Sequence, residues 1–569
     1  MNGAQIIVEE LKKQNVKYIF GYPGGACMPI FDALVDSPEL KMILVRHEQG
    51  ATHMADGYAR TTGKTGVVLV TSGPGATNTV TGILTAHMDS VPLVVLTGQT
   101  ITPNLGKDAF QEADVFGVTM PVVKHSYLVR DVKDLSRIIK EAFHLASTGR
   151  PGPVLVDLPK DVVSETYDED FSAELDLPGY MVRSNGDSSN IKKAAEMIGK
   201  SVRPLLYVGA GAVISGSAKQ ILKLAEKLQA PVTTTLLGKG AFSERHPLSV
   251  GMLGMHGTAY ANKTVVDCDL IMAIGARWDD RITGKVSEFC KNATKIHIDI
   301  DPAEFGKIIQ PDVSVNGDVC AVLDELIPLV KKLNTKEWLK TINTWKKKYP
   351  LKYQKRGGLR AQHVLAELDR LTNSNAVIST DVGQHQMWAA QFCKSIRERT
   401  WLSSGGAGTM GYGFPAAIGA QLGNPKEVVV AVVGDGGFQM TMSELATAAI
   451  HKLPIKILII NNRYLGMVRQ WQQLFFDNRE SGVDMEGNPN FVKIGEAYGI
   501  KGFHLRRTGD VTKVLEKALE YNDGPCIIEA EVTKGDNVFP MIPAGAAVSE
   551  MLIDEPPATK KLQKPVGST

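Results

Sequence analysis

Two mostly β-branched runs, Val428–Val433, apolar throughout, and Ile455–Ile460, broken only by Lys456, limit what this chain can become. Runs with so little polar surface have no face to offer solvent, so each reads as a strand buried on both sides in a parallel sheet. Between them Ser443, Glu444, Leu445 and an alanine-rich stretch to His451 suit a helix, completing a β-α-β unit. Gly434-Asp435-Gly436 follows the first run and Asn461-Asn462 the second, with 24 residues between. An Asp and an Asn therefore stand at the carboxyl ends of neighbouring strands, where open α/β sheets bind ligands. Both carry hard oxygens, and the glycines let a bulky group reach the backbone. A small hard cation such as Mg2+ takes one or two such oxygens and fills its shell with phosphate and water, so the pattern reads as a Mg-diphosphate site.

The same alternation runs through nearly all 569 residues, too many for one core. Strands are expected at Tyr18–Phe20, Val67–Val70, Leu93–Leu96, Val154–Val156, Leu205–Val208, Leu270–Ile274, Lys295–Ile300, Val377–Ser379 and Cys526–Glu529 besides the two runs above. Residues 163–190 are polar and acidic, with Glu165, Asp168, Glu169 and Asp170. Residues 331–360 are basic and end in Lys355-Arg356-Gly357-Gly358. The expected fold is α/β, with three doubly wound parallel-sheet domains at 1–170, 185–335 and 355–540. A tail follows at 541–569, and its last residues, from Pro556, are expected to be mobile unless docked.

A net charge of +2 argues against nucleic acid or a membrane as main partner. The six cysteines are scattered and form no C-x-x-C, which suits a reducing compartment and no structural zinc. No apolar run approaches 18 residues. A helical pattern at Ile6, Ile7 and Leu11 begins almost at once, leaving no room for a signal or transit peptide, so the cytoplasm is the expected location.

The GDG and NN spacing resembles the thiamine-diphosphate (ThDP) binding motif. A second feature fits it: Arg46-His47-Glu48-Gln49-Gly50 precedes a helical stretch, Ala51 to Arg60. ThDP needs a carboxylate hydrogen-bonded to its pyrimidine, and Glu48 at a strand-to-helix turn is placed for that; a helix-capping Glu is the bland alternative. Longer stretches extend the likeness: FGYPGG from Phe20, RHEQGATHMADGYAR from Arg46, TSGPGATN from Thr71, DAFQEADV from Asp108, RPGPVLVDLPKD from Arg150, GQHQMWAAQ from Gly383, GTMGYGFPAAIGAQ from Gly408, GDGGFQM from Gly434 and NNRYLGMVRQWQ from Asn461. On these the chain resembles the catalytic subunits of the acetohydroxyacid synthase (acetolactate synthase) family over nearly its full length.

The resemblance implies a pyrimidine-binding first domain, an FAD-binding central domain and a diphosphate-binding third domain. It implies Mg2+ on Asp435, Asn462 and the main-chain oxygen of Tyr464. It implies diphosphate on Gly383, Gln384, His385, Gly436 and Gly437, and Met410, after Gly408, as the wedge beneath a bent cofactor. Glu48 would be the catalytic carboxylate, with Gly25 and Ala26 over the cofactor and Phe110, Gln111 and Lys160 along the access channel. Arg281 would grip a substrate carboxylate, and Trp471, near Met467, would wall the acceptor side chain. Ala407 stands where the family usually has Leu. Gly406–Gly411 also fits G-x-G-x-x-G, but the acid some twenty residues on, near Glu427, heads the next strand, so the match reads as accidental.

In the central domain Gly209-Ala210-Gly211, Gly275-Ala276-Arg277, Asp299 and Asp318 follow strand-like runs, offering glycines to a pyrophosphate, a cation to phosphate and acids to ribose. The resemblance implies FAD on Arg150, Gly209, Gly211, Thr234, Leu236, Met255, His256, Gly275, Arg277, Asp279, Asp299 and Asp318. The implied reaction decarboxylates pyruvate and joins the two-carbon unit to a second pyruvate or 2-ketobutyrate, the first common step toward valine, leucine and isoleucine. A homodimer or homotetramer with sites at the subunit interface and a small regulatory subunit are implied as partners. Open alternatives are an FAD- and ThDP-dependent pyruvate oxidase, a flavin-free catabolic acetolactate synthase and a non-catalytic nucleotide-binding protein.

Overall fold

A computed structural model of the chain describes residues 1–168, 174–354 and 356–556. Glu169, Asp170, Lys355 and the tail beyond residue 556 lie outside the described residues. The described chain forms three six-stranded sheets in which every paired strand is parallel.

The first sheet holds β1 (Tyr18–Tyr22), β2 (Lys41–Leu44), β3 (Gly66–Val70), β4 (Leu93–Gln99), β5 (His125–Leu128) and β6 (Pro153–Pro159) in the order 2-1-3-4-6-5. The third repeats that order with β13 (Val377–Thr380), β14 (Trp401–Ser403), β15 (Val429–Gly434), β16 (Lys456–Asn461), β17 (Lys501–Leu505) and β18 (Cys526–Glu531). The middle sheet is built differently. Its strands are β7 (Pro204–Val208), β8 (Val232–Thr234), β9 (Ser249–Met252), β10 (Leu270–Ile274), β11 (Thr294–Asp299) and β12 (Val313–Asn316), in the order 12-11-10-7-8-9. Counted from β7, that is the 3-2-1-4-5-6 order of dinucleotide-binding sheets, whose ligand crevice opens where the order reverses, here between β7 and β10. In the outer sheets the reversal falls between β1 and β3 and between β13 and β15.

Helix Glu48–Thr62 of the first domain crosses helix Gly413–Gly423 of the third so closely that side chains are excluded at the contact. A Cβ on Gly419 would lie 1.8 Å from the Met54 carbonyl oxygen, and one on Gly57 2.0 Å from that of Ala416. Around the crossing, Arg60 bridges the buried carboxylates of Asp56 and Asp89 at 2.6 and 2.9 Å. Its guanidinium also donates to the Ser403 carbonyl at 3.1 Å, and the Tyr412 hydroxyl donates to Asp56 at 2.7 Å. First and third domains thus share one core, in which Met54, Ala55 and Tyr58 pack with Phe414, Ala417 and Ile418.

The chain returns to the middle domain after β18. Ile542 donates its N–H to the Met255 carbonyl at 2.8 Å and Lys285 to that of Ala546 at 3.0 Å. Among the described residues no helix is long and apolar enough to cross a membrane.

Candidate active site

The end of β15 runs straight into a helix, Asp435–Thr441, rather than into the later one expected from Ser443; a 3-10 turn and helix Leu445–Ile450 follow. Asp435 therefore sits in a helical first turn, 1% exposed, and burial pushes its carboxyl up to about 6. Across the sheet Asn462 follows β16. Its Oδ1 accepts the Tyr464 N–H at 3.1 Å and its Nδ2 donates to Gln384 Oε1 at 3.1 Å. These residues, with Gly383, His385, Gly436, Gly437 and the Tyr464 turn, enclose a cavity of about 50 Å³.

The cavity suits an anion held beside a cation. His385 is buried, its Nε2 has no partner among the described residues, and burial lowers its pKa to about 3, so a neutral ring presents an unused polar atom. Its ring lies against Gly434, where a Cβ would come within 2.7 Å. Gly466 is equally constrained, its missing Cβ 2.1 Å from Gln384 Oε1. A carboxylate, an amide oxygen and a nearby main-chain carbonyl form a hard donor set that fits Mg2+ bridged to a diphosphate.

A larger cavity of about 870 Å³ adjoins it, sharing Gly383, Met410 and Met467. Its volume is toward the upper end for small-molecule sites, about 300–1,000 Å³. All three domains line it: Asp89 and Arg150 from the first, Gly209, Gly211, Leu236, Met255, His256, Gly275, Arg277, Asp279, Arg281, Asp299 and Asp318 from the middle, Gly408, Met410, Met467 and Trp471 from the third. The crevice between β7 and β10 is its floor. There backbone meets backbone, and a Cβ on Gly209 would stand 2.3 Å from the Gly275 carbonyl oxygen. Burial raises Asp299 to about 6 and also raises Asp279. Arg150 donates to Asp301 at 3.1 Å, Glu304 at 2.7 Å and Ser90 at 2.9 Å. This elongated, glycine-floored space with acids at strand ends fits a dinucleotide such as FAD.

Arg281 is the second residue of the short helix Asp280–Thr283, and its only ion-pair contact among the described residues is Asp280 at 3.7 Å. At that distance the pair is loose, and the guanidinium can still donate to another carboxylate. Trp471 lies on helix Gly466–Phe475 with its ring on Phe475, centroids 5.5 Å apart.

Some expected residues lie elsewhere. Thr234 is buried within β8, its Oγ1 unpartnered among the described residues, and it is Thr235 that lines the larger cavity. Glu48, Gly25, Phe110, Gln111 and Lys160 line neither cavity. Glu48 heads its helix with Oε2 accepting from Asn78 Nδ2 at 2.9 Å, and Phe110 is 89% exposed. Buried Glu444 of the third domain accepts the N–H groups of Arg46 at 3.0 Å and His47 at 3.0 Å, fixing the turn that presents Glu48.

Two further carboxylates escaped sequence reasoning. Asp381, just past β13 and pushed by burial to about 7, accepts from the N–H of Gly411 at 2.9 Å. Asp89 accepts from those of Gly405 and Gly406 at 3.0 and 2.7 Å. Together they pin both ends of the loop carrying Met410. Asp381 lies at a strand's carboxyl end, a signal that could have marked it; Asp89, inside a helix, carries none. The G-x-G-x-x-G segment falls in this loop, and Glu427 lies before β15, at the sheet end away from the site.

The family model described as thiamine pyrophosphate enzyme, N-terminal TPP binding domain, matches residues 1–118; those for the central domain and the C-terminal TPP binding domain match 191–326 and 381–530. The acetolactate synthase large subunit of Porphyra purpurea is 51% identical over 565 residues, 97% of this chain and 95% of that protein. The chain belongs to the acetolactate synthase large-subunit family. The large subunit of Cyanidium caldarium is 48% identical over 97% of this chain and 96% of its own, and the acetolactate synthase of Mycobacterium bovis 45% over 97% and 91%. Membership makes the chain a ThDP-dependent enzyme that forms carbon–carbon bonds, with its α/β domains those of that enzyme class.

Proposed function

We propose that this chain decarboxylates pyruvate and joins the resulting two-carbon unit to a second 2-ketoacid, pyruvate or 2-ketobutyrate, with ThDP, Mg2+ and FAD as cofactors. The observation that carries the reading is the lining of the larger cavity, which holds Arg281 and Trp471 together with Met410 and Met467, the two methionines it shares with the smaller cavity. A decarboxylase delivers a proton and an oxidase removes electrons; only a synthase must hold a second anion, and a guanidinium fork does that bidentately.

ThDP supplies the electron sink for losing carbon dioxide, and the protein's part is geometry and charge. Asp435, Asn462 and the Tyr464 carbonyl would hold Mg2+, while Gln384, His385, Gly436 and Gly437 would hold the diphosphate. Met410, its loop pinned by Asp89 and Asp381, would pack against the bound ThDP. Glu48, with Oε2 tied to Asn78, keeps Oε1 free to take and return a proton. Arg281 would hold the acceptor carboxylate, and Trp471 would favour a larger side chain. FAD would occupy the larger cavity without entering the net reaction.

Because Glu48 and the diphosphate cavity lie apart in one chain, the site is completed by a second copy in this reading. Exposed apolar side chains of the first domain support that, among them Phe110, Met120 and Met28. A smaller regulatory partner, cytoplasmic location and the branched-chain amino acid role belong to the same proposal.

The test is product analysis from pyruvate with ThDP, Mg2+ and FAD, reading acetolactate by acid conversion to acetoin beside acetaldehyde and peroxide. Acetolactate should dominate. Acetaldehyde, or peroxide with acetate, as main product would overturn the roles of Arg281 and Trp471.

A further inference from the structure

Asp435 is held by a side chain that lies 53 residues away, in the segment between helix Gly466–Phe475 and helix Phe491–Ala497. Asn488 Nδ2 donates to Asp435 Oδ2 at 2.6 Å and to Asn461 Oδ1 at 3.4 Å. Its own Oδ1 accepts from Gln439 Nε2 at 3.0 Å, and that nitrogen also donates to the Asp435 main-chain carbonyl at 3.0 Å. Asn461 in turn donates from Nδ2 to buried Glu529 Oε1 at 3.0 Å, leaving Asn461 Oδ1 to face Asn488 and the Arg463 N–H. Every neighbour of the Asn488 amide thus dictates which end carries the hydrogens: two acceptors on one side, a donor on the other.

The segment is fastened to the other half of the metal site as well. Leu465 donates its N–H to the Val483 carbonyl at 2.8 Å, Met485 donates to that of Arg463 at 3.0 Å, and Tyr464 pairs with Asp484 in an antiparallel bridge. The turn gripped in this way, Asn462–Tyr464, supplies the two other candidate ligand oxygens.

We propose that Asn488 is a positioning residue for the metal site, resting on the reading of Asp435 as a metal ligand given above. By placing a neutral N–H donor on Oδ2, it makes Oδ1 the oxygen more open to a cation, and it fixes the carboxylate rotamer. Carboxylates bind Mg2+ within a tight octahedron, whereas the larger Ca2+ readily takes both oxygens in a flexible shell. The amide therefore does two things: it strengthens Mg2+ binding by preorganisation, and it biases the site against a bidentate cation.

Calorimetric titration of the full chain with ThDP present, using Mg2+ and Ca2+ separately, tests this. Partners that orient a metal ligand are typically worth about 10–100-fold in affinity. Asn488→Ala should weaken Mg2+ by about that factor, with a smaller loss for Ca2+, so that the Mg2+/Ca2+ preference narrows. Turnover lost at low Mg2+ should return as Mg2+ is raised. Gln439→Ala, at a partly exposed position, removes the donor that orients Asn488 and should shift the preference the same way by less, deciding the matter if Asn488→Ala does not fold. Unchanged Mg2+ affinity, or equal losses for both ions, would overturn the positioning role and leave the metal site standing. If the unaltered chain takes up no Mg2+ with ThDP present, the metal reading itself falls, and this proposal with it.

Discussion

Burial pushes Asp157 up to about 7, the Asp114 charge adds to the effect, and hydrogen bonds from Thr97 and Gln99 oppose it. The residue sits in β6 with no formal counter-charge among the described residues, so burial favours its protonated form. An unfolded aspartate titrates near 3.9, so the folded state binds this proton more tightly and the associated stability is fully present only below about pH 4. It is lost as the pH rises from about 4 through 7. Asp157→Asn should therefore flatten the fall in thermal stability between pH 5 and 8 by something on the order of 2–3 kcal/mol. Parallel melts of the two proteins check this, and an unchanged pH slope would refute it. Glu48 makes a sharper prediction. With Asn78 holding one carboxylate oxygen, Glu48→Gln keeps shape and partner but loses the proton-accepting oxygen, so turnover should fall about 10²–10⁴-fold with ThDP affinity retained. Full activity in that variant would remove Glu48 from the chemistry. At this scale legibility followed position. Asp435 and Asn462 were readable because strand ends announce themselves through apolar runs. Asn488 and Asp89 were not, because a loop amide and a helix carboxylate gain meaning only from neighbours far off in the chain.

At the scale of elements, the strands that the apolar pattern marked are the interior ones. Each strand flanked on both sides in the first and third sheets coincides with an expected run, as do β7, β10 and β11 in the middle sheet. All six edge strands went unmarked: β2, β5, β9, β12, β14 and β17. The reason is physical. An edge strand with a solvated side has no need of an unbroken apolar run, and lysine, histidine or serine on it discourages pairing with another chain; β14, buried at every position, escaped instead because it is only three residues long. Thus β2 reads Lys-Met-Ile-Leu and β17 Lys-Gly-Phe-His-Leu, each buried at one position. The interior strand that escaped, β8, is three residues long and two-thirds threonine. Helix contacts were equally illegible, since nothing in the glycines of Gly57 and Gly419 names their partners. Gly419→Ala would drive a Cβ into the Met54 carbonyl, which as backbone cannot turn aside. Parting the two helices should cost about 1–3 kcal/mol, as overpacking does. Because one of those helices begins at Glu48, activity should drop along with the melting temperature. An unchanged melting temperature would mean that the crossing is looser than the 1.8 Å approach implies.

For the whole molecule the two outer domains share one strand order and one core, yet the catalytic groups proposed for them do not meet within a chain. Glu48 lines neither cavity, while Asp435 and His385 are enclosed by third-domain residues. Exposed Phe110, Met120, Met28 and, from the third domain, Met440 are the kind of large apolar surface that a partner copy covers. If a two-fold pair of chains brings Glu48 of one copy to the Asp435 site of the other, two inactive variants should rescue one another. Mixing Glu48→Gln chains with Asp435→Ala chains and letting them exchange would give half the dimers as hybrids. Each hybrid would carry one doubly altered site and one with both residues intact, so about a quarter of unaltered activity should return. A site complete within a single chain would return nothing, because every chain in the mixture lacks one of the two groups. The same mixture with Glu48→Gln alone should stay inactive, which separates rescue across the interface from residual turnover.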